Sequence, residues 1–446
     1  MSLSALIRRF GYAALLTAPL FGCEGETTED PPVEETGITC DGDVCRVAAG
    51  EYTEDLTFTA DKTWFLDGRV FIGDGTTSNT LTIEPGTTIL GRASETLPGA
   101  LVIQRNAQIM ANGSADAMIV MTSDQGDMSR AGNWGGLVIN GNAPINGCDA
   151  APCTATGEGD TGNYGGDDAG DSSGTLRYVR VEFAGTKLTA DSEFNGIAFQ
   201  GVGSGTTVEY IQVHANADDG IEFFGGSVNA KYVVLTGIED DSLDWTDGWN
   251  GKVQFLIAKQ LGDKGDQGIE ADNNGDNNDL EPRSNPTLSN MTFIGHADSD
   301  IGVLLREGTR VSLHDSIVTG FGDACFAMDQ TSTFAQACTD ESTLTGDFTV
   351  EGVVIGGCGA DFLEPVDDAD MPLDVPCSVE QFFSIEPEVR GNAVRADLTL
   401  DNYRLPEGSD LLEAGATPND GFFTAVPFVG AVGADDWTAG WALYLD

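Results

Sequence analysis

Short apolar runs rich in β-branched and aromatic residues return every 21 or 22 residues in the middle of this 446-residue chain. The runs lie at residues 210–213, 232–235 and 253–256, and turn-forming Gly, Asn and Asp residues separate them. The sequence between them lacks the apolar spacing of a helix of useful length, and the interval is too short for a crossover helix in every repeat. The period therefore predicts a parallel β-solenoid, in which the short strands of each coil pair with those of the coils above and below.

Alternation within the runs predicts which side chains fill the solenoid, because successive side chains of a strand point to opposite faces. The predicted inward positions are Ile211, Val213, Ile221, Phe223, Val233 and Leu235. The turns between strands carry Asp and Gly on the outside. They form the surface on which a function is expected first.

The charge of the chain excludes several classes of partner. The chain contains 72 Asp and Glu residues and 21 Lys and Arg residues, for a net charge of −51. A nucleic acid requires a basic footprint, and an anionic membrane surface repels a protein of this charge. Two interpretations of the acidity remain, namely solubility in a saline or calcium-containing medium and binding of cations by clustered carboxylates. With 40% hydrophobic residues and 58 Gly, the composition favours an all-β domain over a disordered chain.

The first 22 residues have the organisation of an export signal. Arg8 and Arg9 supply a charged segment, residues 12–20 supply a short apolar segment, and the motif Leu20-Phe21-Gly22-Cys23 follows. This motif resembles the lipobox of bacterial lipoproteins, in which cleavage before the cysteine leaves Cys23 to carry the lipid. An ordinary secretory signal peptide is the alternative, and both interpretations remove the segment from the folded protein.

Residues 23–37 are predicted to form a disordered tether between the lipid and the folded domain, because they are acidic, contain proline and lack aromatic residues. With Glu24 after the cysteine, the pattern resembles that of lipoproteins sorted to the outer membrane. The predicted location is therefore the outer membrane, with a lipid anchor. The sequence leaves open whether the protein faces the periplasm or the medium.

Eight further cysteines form four couples that are close in sequence, which indicates disulfides in an exported protein. The predicted pairs are Cys40/Cys45, Cys148/Cys153, Cys325/Cys338 and Cys358/Cys377. A zinc site has little support, because none of these spacings is C-x2-C and the chain has only three histidines.

Longer phrases of the sequence resemble a known family. They include LTIEPGTTILG at 81–91, GNWGGLVINGNAPING at 132–147 and DDGIEFFGGSVNAKY at 218–232. Over about residues 66–317 the chain closely resembles a family of bacterial cell-envelope lipoproteins with a right-handed parallel β-helix. The resemblance implies this fold and an envelope location, but it implies no activity, because the family has no settled one.

We therefore predict an all-β protein with one right-handed parallel β-helix over residues 81–400. An N-terminal cap at 38–80 and a C-terminal cap at 401–446 are expected to cover the ends of the solenoid, which would otherwise expose core and unpaired strand edges. Two acidic insertions are predicted to leave the coils near residues 149–174 and 262–286.

Acidic residues form clusters at the spacing of the repeat. Asp218 and Asp240 are 22 residues apart, so stacking places them on one face about 5 Å from each other, the distance between neighbouring strands. Such carboxylates repel unless a proton or a cation relieves them, and Ca²⁺ suits them because it accepts several oxygen ligands in irregular geometry. The alternative is that these residues are solvated turn residues that accept hydrogen bonds from nearby N–H groups. The predicted calcium ligands are Asp218, Asp219, Glu222, Asp240, Asp241 and Asp244, and a further acidic cluster in the second insertion contains Glu270, Asp272, Asp276 and Asp279.

A catalytic interpretation uses some of the same carboxylates. The motifs Asn216-Ala217-Asp218, Asp240-Asp241 and Gly295-His296-Ala297 resemble, in this order, motifs of pectin-cleaving hydrolases built on the same fold. The chain departs from them because no Arg-x-Lys motif follows and Ala297 replaces their second glycine. The competing function is a polysaccharide hydrolase or lyase that uses Asp218, Asp240, Asp241 and His296, with one carboxyl as acid and another as base.

Trp245 and Trp249 lie between acidic residues, where they are predicted either to form a platform for a sugar ring or to pack beneath the turn.

The export signal, the repeat and the acidic clusters together favour a lipid-anchored, noncatalytic envelope module that binds polysaccharide or another surface protein, with Ca²⁺ as its predicted cofactor. The chain is expected to be a monomer without a nucleic-acid partner. A polysaccharide-cleaving enzyme and a passive structural surface protein are the alternatives.

Overall fold

The computed structural model describes residues 37–445 apart from 95, 149–151, 190–191, 263, 347 and 367–370. The predicted signal peptide, the lipidated Cys23 and almost all of the tether lie outside the described residues. The first residues of the insertion predicted at 149–174 lie outside them as well.

The described chain coils into a three-faced parallel β-helix, which confirms the predicted all-β solenoid. Strands are numbered β1–β33 in chain order. Within the main sheet every pairing is parallel except that of β1 (Ile38–Asp41) with β2 (Val44–Tyr52), a hairpin at the N-terminal end. Strand β2 pairs in parallel with β4 (Thr63–Ile72), so parallel stacking begins inside the range assigned to the N-terminal cap.

The three faces, here called A, B and C, are columns of stacked strands. Face A contains β3 (Leu56–Phe58), β5 (Thr80–Ile83), β8 (Gln108–Asn112), β25 (Ser312–His314) and β30 (Thr349–Glu351). Face B contains β6 (Thr88–Gly91), β9 (Ile119–Ser123), β26 (Ile317–Thr319), β31 (Val354–Gly356) and β33 (Ala393–Val394). Five long strands bend from face A into face B: β13 (Gly174–Glu182), β17 (Thr207–His214), β19 (Asn229–Thr236), β21 (Lys252–Lys259) and β23 (Thr287–Ile294). Face C contains β7 (Ala100–Ile103), β10 (Leu137–Asn140), β16 (Ile197–Gln200), β18 (Ile221–Phe224), β20 (Leu243–Thr246), β22 (Ile269–Ala271), β24 (Ile301–Leu305), β27 (Ala324–Met328) and β32 (Ala360–Leu363).

Strands β2 and β4 run from face B into face C. The remaining elements lie outside the columns. Three small hairpins are β11 (Ala155–Thr156) with β12 (Asn163–Tyr164), β14 (Lys187–Thr189) with β15 (Ser192–Glu193), and β28 (Cys338–Asp340) with β29 (Thr343–Leu344). The helices are α1 (Thr331–Ala337), α2 (Val379–Ser384) and α3 (Pro387–Arg390), and short 3₁₀ turns span Gly126–Met128, Glu158–Asp160 and Asp410–Glu413.

The register of the central coils follows the predicted repeat. Ile211 pairs with Val233 and Val233 with Leu256, which are intervals of 22 and 23 residues. The six side chains predicted to point inward are at most 1% exposed, so the interpretation of the apolar runs as strands with one buried face is confirmed. Burial of this continuous core supplies the main stabilisation of the fold.

The bend between faces A and B uses a left-handed residue at the same position of successive coils. Tyr178, Tyr210, Tyr232 and Phe255 have φ of 49°, 54°, 60° and 63°, a conformation that costs energy for residues with bulky side chains. Their rings stack with centroids 4.5, 4.3 and 5.1 Å apart, a favourable arrangement that offsets part of this cost. The aromatic column therefore aligns the coils.

Two of the predicted disulfide pairs are confirmed and two are wrong. The structure contains Cys40–Cys45, Cys148–Cys153, Cys325–Cys358 and Cys338–Cys377. Cys325 lies on β27, whose partner β32 begins just after Cys358, so stacking of consecutive coils brings their Cα atoms to 5.5 Å. Proximity in sequence fails here because the closest neighbour of a solenoid residue lies one coil away.

The C-terminal tail, predicted as an end cap, runs back along the outside of the solenoid. Thr424 and Gln254 exchange backbone–side-chain hydrogen bonds of 2.8 Å in both directions, and Leu443 and Gln212 do the same at 2.7 and 3.1 Å. Residues 415–445 are called the strap below. The C-terminal end of the core is covered instead by α2, which packs its Phe382 and Phe383 into the core cluster.

The second predicted insertion contains a strand of the solenoid. Strand β22 pairs with β20 on one side and β24 on the other, so the interval 262–286 is only partly an insertion. The chain leaves the coil after Ala271 and rejoins it at β23.

Candidate functional site

Acidic side chains occupy one outward column of face C on three successive coils. The register aligns Glu222 with Asp244 and Asp244 with Glu270. The same column is apolar before them at Ala198 and after them at Leu304. The strand pairing thus concentrates charge in the middle of an otherwise apolar column.

The turns that lead into these strands add a second acidic column beside the first. Together the two columns bring eight carboxyl groups close to one another, and we call this set the acid ladder. It consists of Asp218, Asp219, Glu222, Asp240, Asp241, Asp244, Asp266 and Glu270, and it contains all six of the calcium ligands predicted from the sequence. Ligand atoms lie within 4.8 Å of one another in four groups: Asp218/Asp219/Asp240, Asp219/Glu222/Asp244, Asp240/Asp241/Asp266 and Asp241/Asp244/Glu270.

Backbone hydrogen bonds between coils position the buried turn residues. Oδ1 of Asp219 accepts the N–H of Asp241 at 3.1 Å, and Oδ1 of Asp241 accepts the N–H of Gln267 at 2.6 Å. Each of these aspartates therefore uses one carboxylate oxygen to hold the next coil. The next residue, Gly220, leaves room for this close stacking, because a Cβ there would lie 2.6 Å from the carbonyl oxygen of Ser242.

The oxygens of the strand column have fewer partners. Oε2 of Glu222 accepts a hydrogen bond of 2.6 Å from the Asn195 side chain, whereas Oδ1 of Asp244 is buried without a hydrogen-bond partner among the described residues. A buried polar atom of this kind is costly unless something outside the protein satisfies it. A water molecule or a cation at this position would satisfy the oxygen.

Burial is the main cause of the raised pKa values in the ladder. It raises the pKa of Asp219, Glu222, Asp241 and Asp244 well above the ordinary values, and repulsion from neighbouring carboxylates raises each further.

The less enclosed members of the ladder are shifted in the same direction. Burial, followed by the charges of Glu193 and Asp240, raises the pKa of Asp218 to about 8. Burial also raises the pKa of Glu270 to about 7, although the neighbouring Arg306 opposes this shift. The ladder is thus difficult to ionise as it stands.

Arg306 lies at the end of the ladder nearest the C-terminus. Its Nε is 2.8 Å from Oδ1 of Asp272, and its Nη2 contacts Oε2 of Glu270. Burial alone would lower the pKa of this guanidinium, but the ion pairs raise it above its ordinary value. Arg306 is therefore a fixed positive charge, which argues against a role as a base.

The two insertions meet at Asp247, three residues after Asp244 of the ladder. Gln104 and Asn140 of the coils each donate a hydrogen bond of 2.8 Å to the carbonyl of Thr161 in the first insertion. The Tyr164 hydroxyl of this insertion donates to Oδ2 of Asp247 at 3.0 Å, and the Asn274 side chain of the second insertion donates to Oδ1 of the same carboxylate at 3.0 Å. Both insertions are thus held by hydrogen bonds before any ligand binds.

The structure separates the other predicted site residues. Asp218, Asp240 and Asp241 lie together, but His296 is outside the four carboxylate groups and its half-exposed ring is 3.2 Å from Asp298. Asp272 pairs with Arg306 and Asp279 pairs with Arg283 instead of joining the ladder.

A sugar platform at Trp245 or Trp249 is wrong, because both side chains are completely buried in the core. The alternative, packing beneath the turns, is what the structure shows. Trp249 stacks on Phe223 with ring centroids 4.0 Å apart, whereas Phe224 points outward and is half-buried.

Sequence reasoning missed the roles of Asp266 and Asn195. Asp266 occupies the turn position of Asp218 and Asp240, but its coil is longer, so the interval from Asp240 is 26 residues instead of 22. The tripeptide Gly-Ile-Glu at 220–222 returns at 268–270, and this repeat was the available signal. No local pattern marks Asn195, which reaches Glu222 across coils.

Comparisons with known proteins agree with the architecture. A family model described as a pectate-lyase like beta helix domain matches residues 50–364. No curated protein and no solved structure gives a significant match to the chain. Among the described residues, no helix has the length and apolar character to cross a membrane.

Proposed function

The chain belongs to the pectate-lyase-like β-helix domain family, and on that premise we propose that it is a noncatalytic polysaccharide-binding protein whose acid ladder holds calcium. The observation that carries the proposal is the buried oxygen of Asp244, which has no hydrogen-bond partner among the described residues in the middle of crowded carboxylates. A divalent cation would satisfy this oxygen and relieve the repulsion at once.

The donor set favours calcium over other metals. All ladder ligands are carboxylate oxygens, which suit Ca²⁺ or Mg²⁺ rather than the softer metals that prefer His and Cys. Their positions follow the strand repeat and not an octahedron, and Ca²⁺ tolerates such irregular geometry better than Mg²⁺. Residues of the ladder would hold the ion, and the ion would supply further coordination positions for a ligand.

Acidic polysaccharide is the ligand class that this chemistry supports. A protein with a net charge of −51 repels a polyanion, but a calcium ion held by the protein can also accept carboxylate and hydroxyl oxygens of uronate sugars. Tyr164 and Asn274, from the two insertions, both hold Asp247, three residues after Asp244. Binding would therefore depend on calcium and disappear when a chelator removes it.

Cleavage of the same polymer is the second candidate function. It is supported by the proximity of Asp218 and Asp240 and by burial that raises the pKa of Asp218 to about 8, a value compatible with a general acid. Noncatalytic binding is favoured because Arg306 is held in ion pairs and His296 lies outside the carboxylate groups.

Export and lipidation at Cys23 complete the proposal. The lipobox-like motif and Glu24 support an outer-membrane lipoprotein, with the β-helix presented at the end of the acidic tether. Metabolic labelling with a fatty acid would test it, because Cys23→Ser should abolish incorporation.

The test of function uses the mature chain with Cys23→Ser, so that it is produced without lipid. We expect calorimetric calcium binding and retention by immobilised polygalacturonate in calcium, with release by a chelator. Asp219→Asn with Asp244→Asn should weaken calcium binding by about tenfold or more, whereas the exposed Glu54→Gln should leave it unchanged. Unchanged retention in chelator would contradict the proposal, and new reducing ends or unsaturated products would establish the enzyme instead.

A further inference from the structure

We infer that the acid ladder binds a pair of divalent cations one coil apart, with Asp244 as the ligand shared by both. This inference rests on the proposed cation binding and adds its stoichiometry and arrangement. It concerns the two buried carboxylate groups, Asp219/Glu222/Asp244 and Asp241/Asp244/Glu270.

The geometry repeats from one coil to the next. In each group an aspartate of the turn and two acids of the strand column place oxygens within 4.8 Å of one another. The register that stacks Glu222, Asp244 and Glu270 makes the second group a copy of the first, moved by one strand. Two ions in these groups would be separated by about 5 Å, the spacing of neighbouring strands.

Hydrogen bonding distinguishes Asp244 from the other members of these two groups, although Asp266, in a neighbouring group, also has a buried oxygen without a partner among the described residues. Asp219 and Asp241 each commit one oxygen to a backbone N–H of the next coil, and Arg306 contacts Glu270. Oδ1 of Asp244, by contrast, is buried and has no hydrogen-bond partner among the described residues. A carboxylate between two ions would use both oxygens, one toward each ion, and the central position of Asp244 suits this role.

Charge also favours two ions over one. The two groups contain five carboxylates, so one divalent ion leaves three negative charges in a buried region. Two ions leave one, at the end of the ladder where Arg306 contacts Glu270. Unpaired buried charges are strongly unfavourable, so the first ion alone would leave much of the repulsion in place.

The first test counts bound ions in the mature, lipid-free chain by calorimetry with Ca²⁺ under native conditions. We expect the two buried groups to hold two ions in the unaltered protein. They should hold one ion in Glu222→Gln, one in Glu270→Gln and none in Asp244→Asn. Circular dichroism confirms that each variant is folded, and Glu54→Gln is the matched control that should retain both ions. Ions bound at the two groups that contain Asp240 are not counted, because only the difference in the number of bound ions between each variant and the control is used.

The second test measures whether the ions are neighbours. Mn²⁺ replaces Ca²⁺, and electron paramagnetic resonance at one and two equivalents should show an isolated ion first and a spin-coupled pair afterwards, because the separation is about 5 Å. Uncoupled spectra at full loading, or equal ion losses in Glu222→Gln and Asp244→Asn, would overturn the shared-ligand arrangement. Absence of any bound ion would refute the proposed function as well, whereas a single ion lost in all three variants would refute only the pair.

Discussion

A buried carboxyl group of the acid ladder is stabilised by a hydrogen-bond donor of the protein, by a bound proton or by a cation. Asp219 and Asp241 satisfy backbone N–H groups with one oxygen, but the remaining oxygens lie against other carboxylates. Without a cation, protons are the available means of reducing this repulsion. This is the physical reason that the pKa values of the ladder are raised in the folded chain.

The stability of the metal-free protein should therefore fall as pH rises. A carboxyl group whose pKa is raised by folding binds more protons in the folded than in the unfolded chain, so the free energy of unfolding decreases between its two pKa values. For Asp218 that window runs from 3.8 to about 8. Burial lowers the pKa of His214 and His314 from 6.5 to about 4, so their opposing contribution is mostly complete by pH 6.5 and the carboxyl groups dominate above it.

We expect the melting temperature in chelator to drop by about 2 °C between pH 6.5 and 8, as for a loss of roughly 2 kcal/mol in a chain of this size. Asp218→Asn should reduce the drop, because it removes one of the titrating groups. Differential scanning calorimetry in buffers of equal ionic strength would measure both. A melting temperature that stays level or rises over this interval would show that the ladder is ionised without a metal.

At the scale of elements, the strap is joined to the solenoid by side-chain amides that imitate a strand partner. The Gln254 amide both donates to and accepts from the Thr424 backbone, and Gln212 does the same with Leu443. Trp437 and Trp441 of the strap pack against Tyr232 and the neighbouring tyrosine column. The strap therefore covers the bend where the coils adopt left-handed backbone conformations.

Gln254→Leu should loosen the strap and leave the β-helix intact. It removes both partners of the Thr424 backbone groups, and leaving such groups unsatisfied costs about 1–3 kcal/mol. Hydrogen exchange should accelerate around residues 420–430 and remain slow in β17 and β19. Gln125→Leu, at a partly exposed position of another segment, is the control. Equal acceleration in the strap and in the core strands would indicate that the strap is part of the global folding unit.

Local pattern predicted β17, β19 and β21 because each has one buried face and a turn at either end, which are properties of neighbouring residues in the sequence. The strap was not predictable in this way. Gln254 and Thr424 are 170 residues apart, and an amide that pairs with a distant backbone has no periodic signal. The two wrong disulfide pairs have the same cause, since Cys325 and Cys358 meet through coil stacking.

The candidate site was predictable to the extent that it follows the repeat. Asp218 and Asp240 were placed together because their interval equals one coil, and the structure brings them together. The coil from Asp240 to Asp266 is 26 residues long instead of 22, and this difference concealed the equivalence of Asp266. The unpartnered oxygen of Asp244 depends on how tightly three coils pack, which the order of residues alone does not specify.

At the scale of the whole molecule, a solenoid is stabilised mainly by interactions between adjacent coils. The acid ladder spans β18, β20 and β22 near the middle of face C, where repulsion acts directly against coil stacking. The net charge of −51 adds a long-range repulsion that salt can screen. Calcium and simple salt should therefore stabilise the chain by different routes.

Calcium at about 100 times its dissociation constant should raise the free energy of unfolding by about 2.7 kcal/mol per independent site. In a chain of this size that corresponds to a melting temperature increase of about 3 °C per site, because the shift is the added free energy divided by the entropy of unfolding. Sodium chloride at matched ionic strength should give a smaller increase, because screening is weak between buried charges in contact. The Asp219→Asn/Asp244→Asn variant should lose the calcium increment and keep the sodium chloride increment, since its surface charge is almost unchanged. If the two salts stabilise the unaltered protein equally, the ladder has no specific site and the effect of calcium is screening alone.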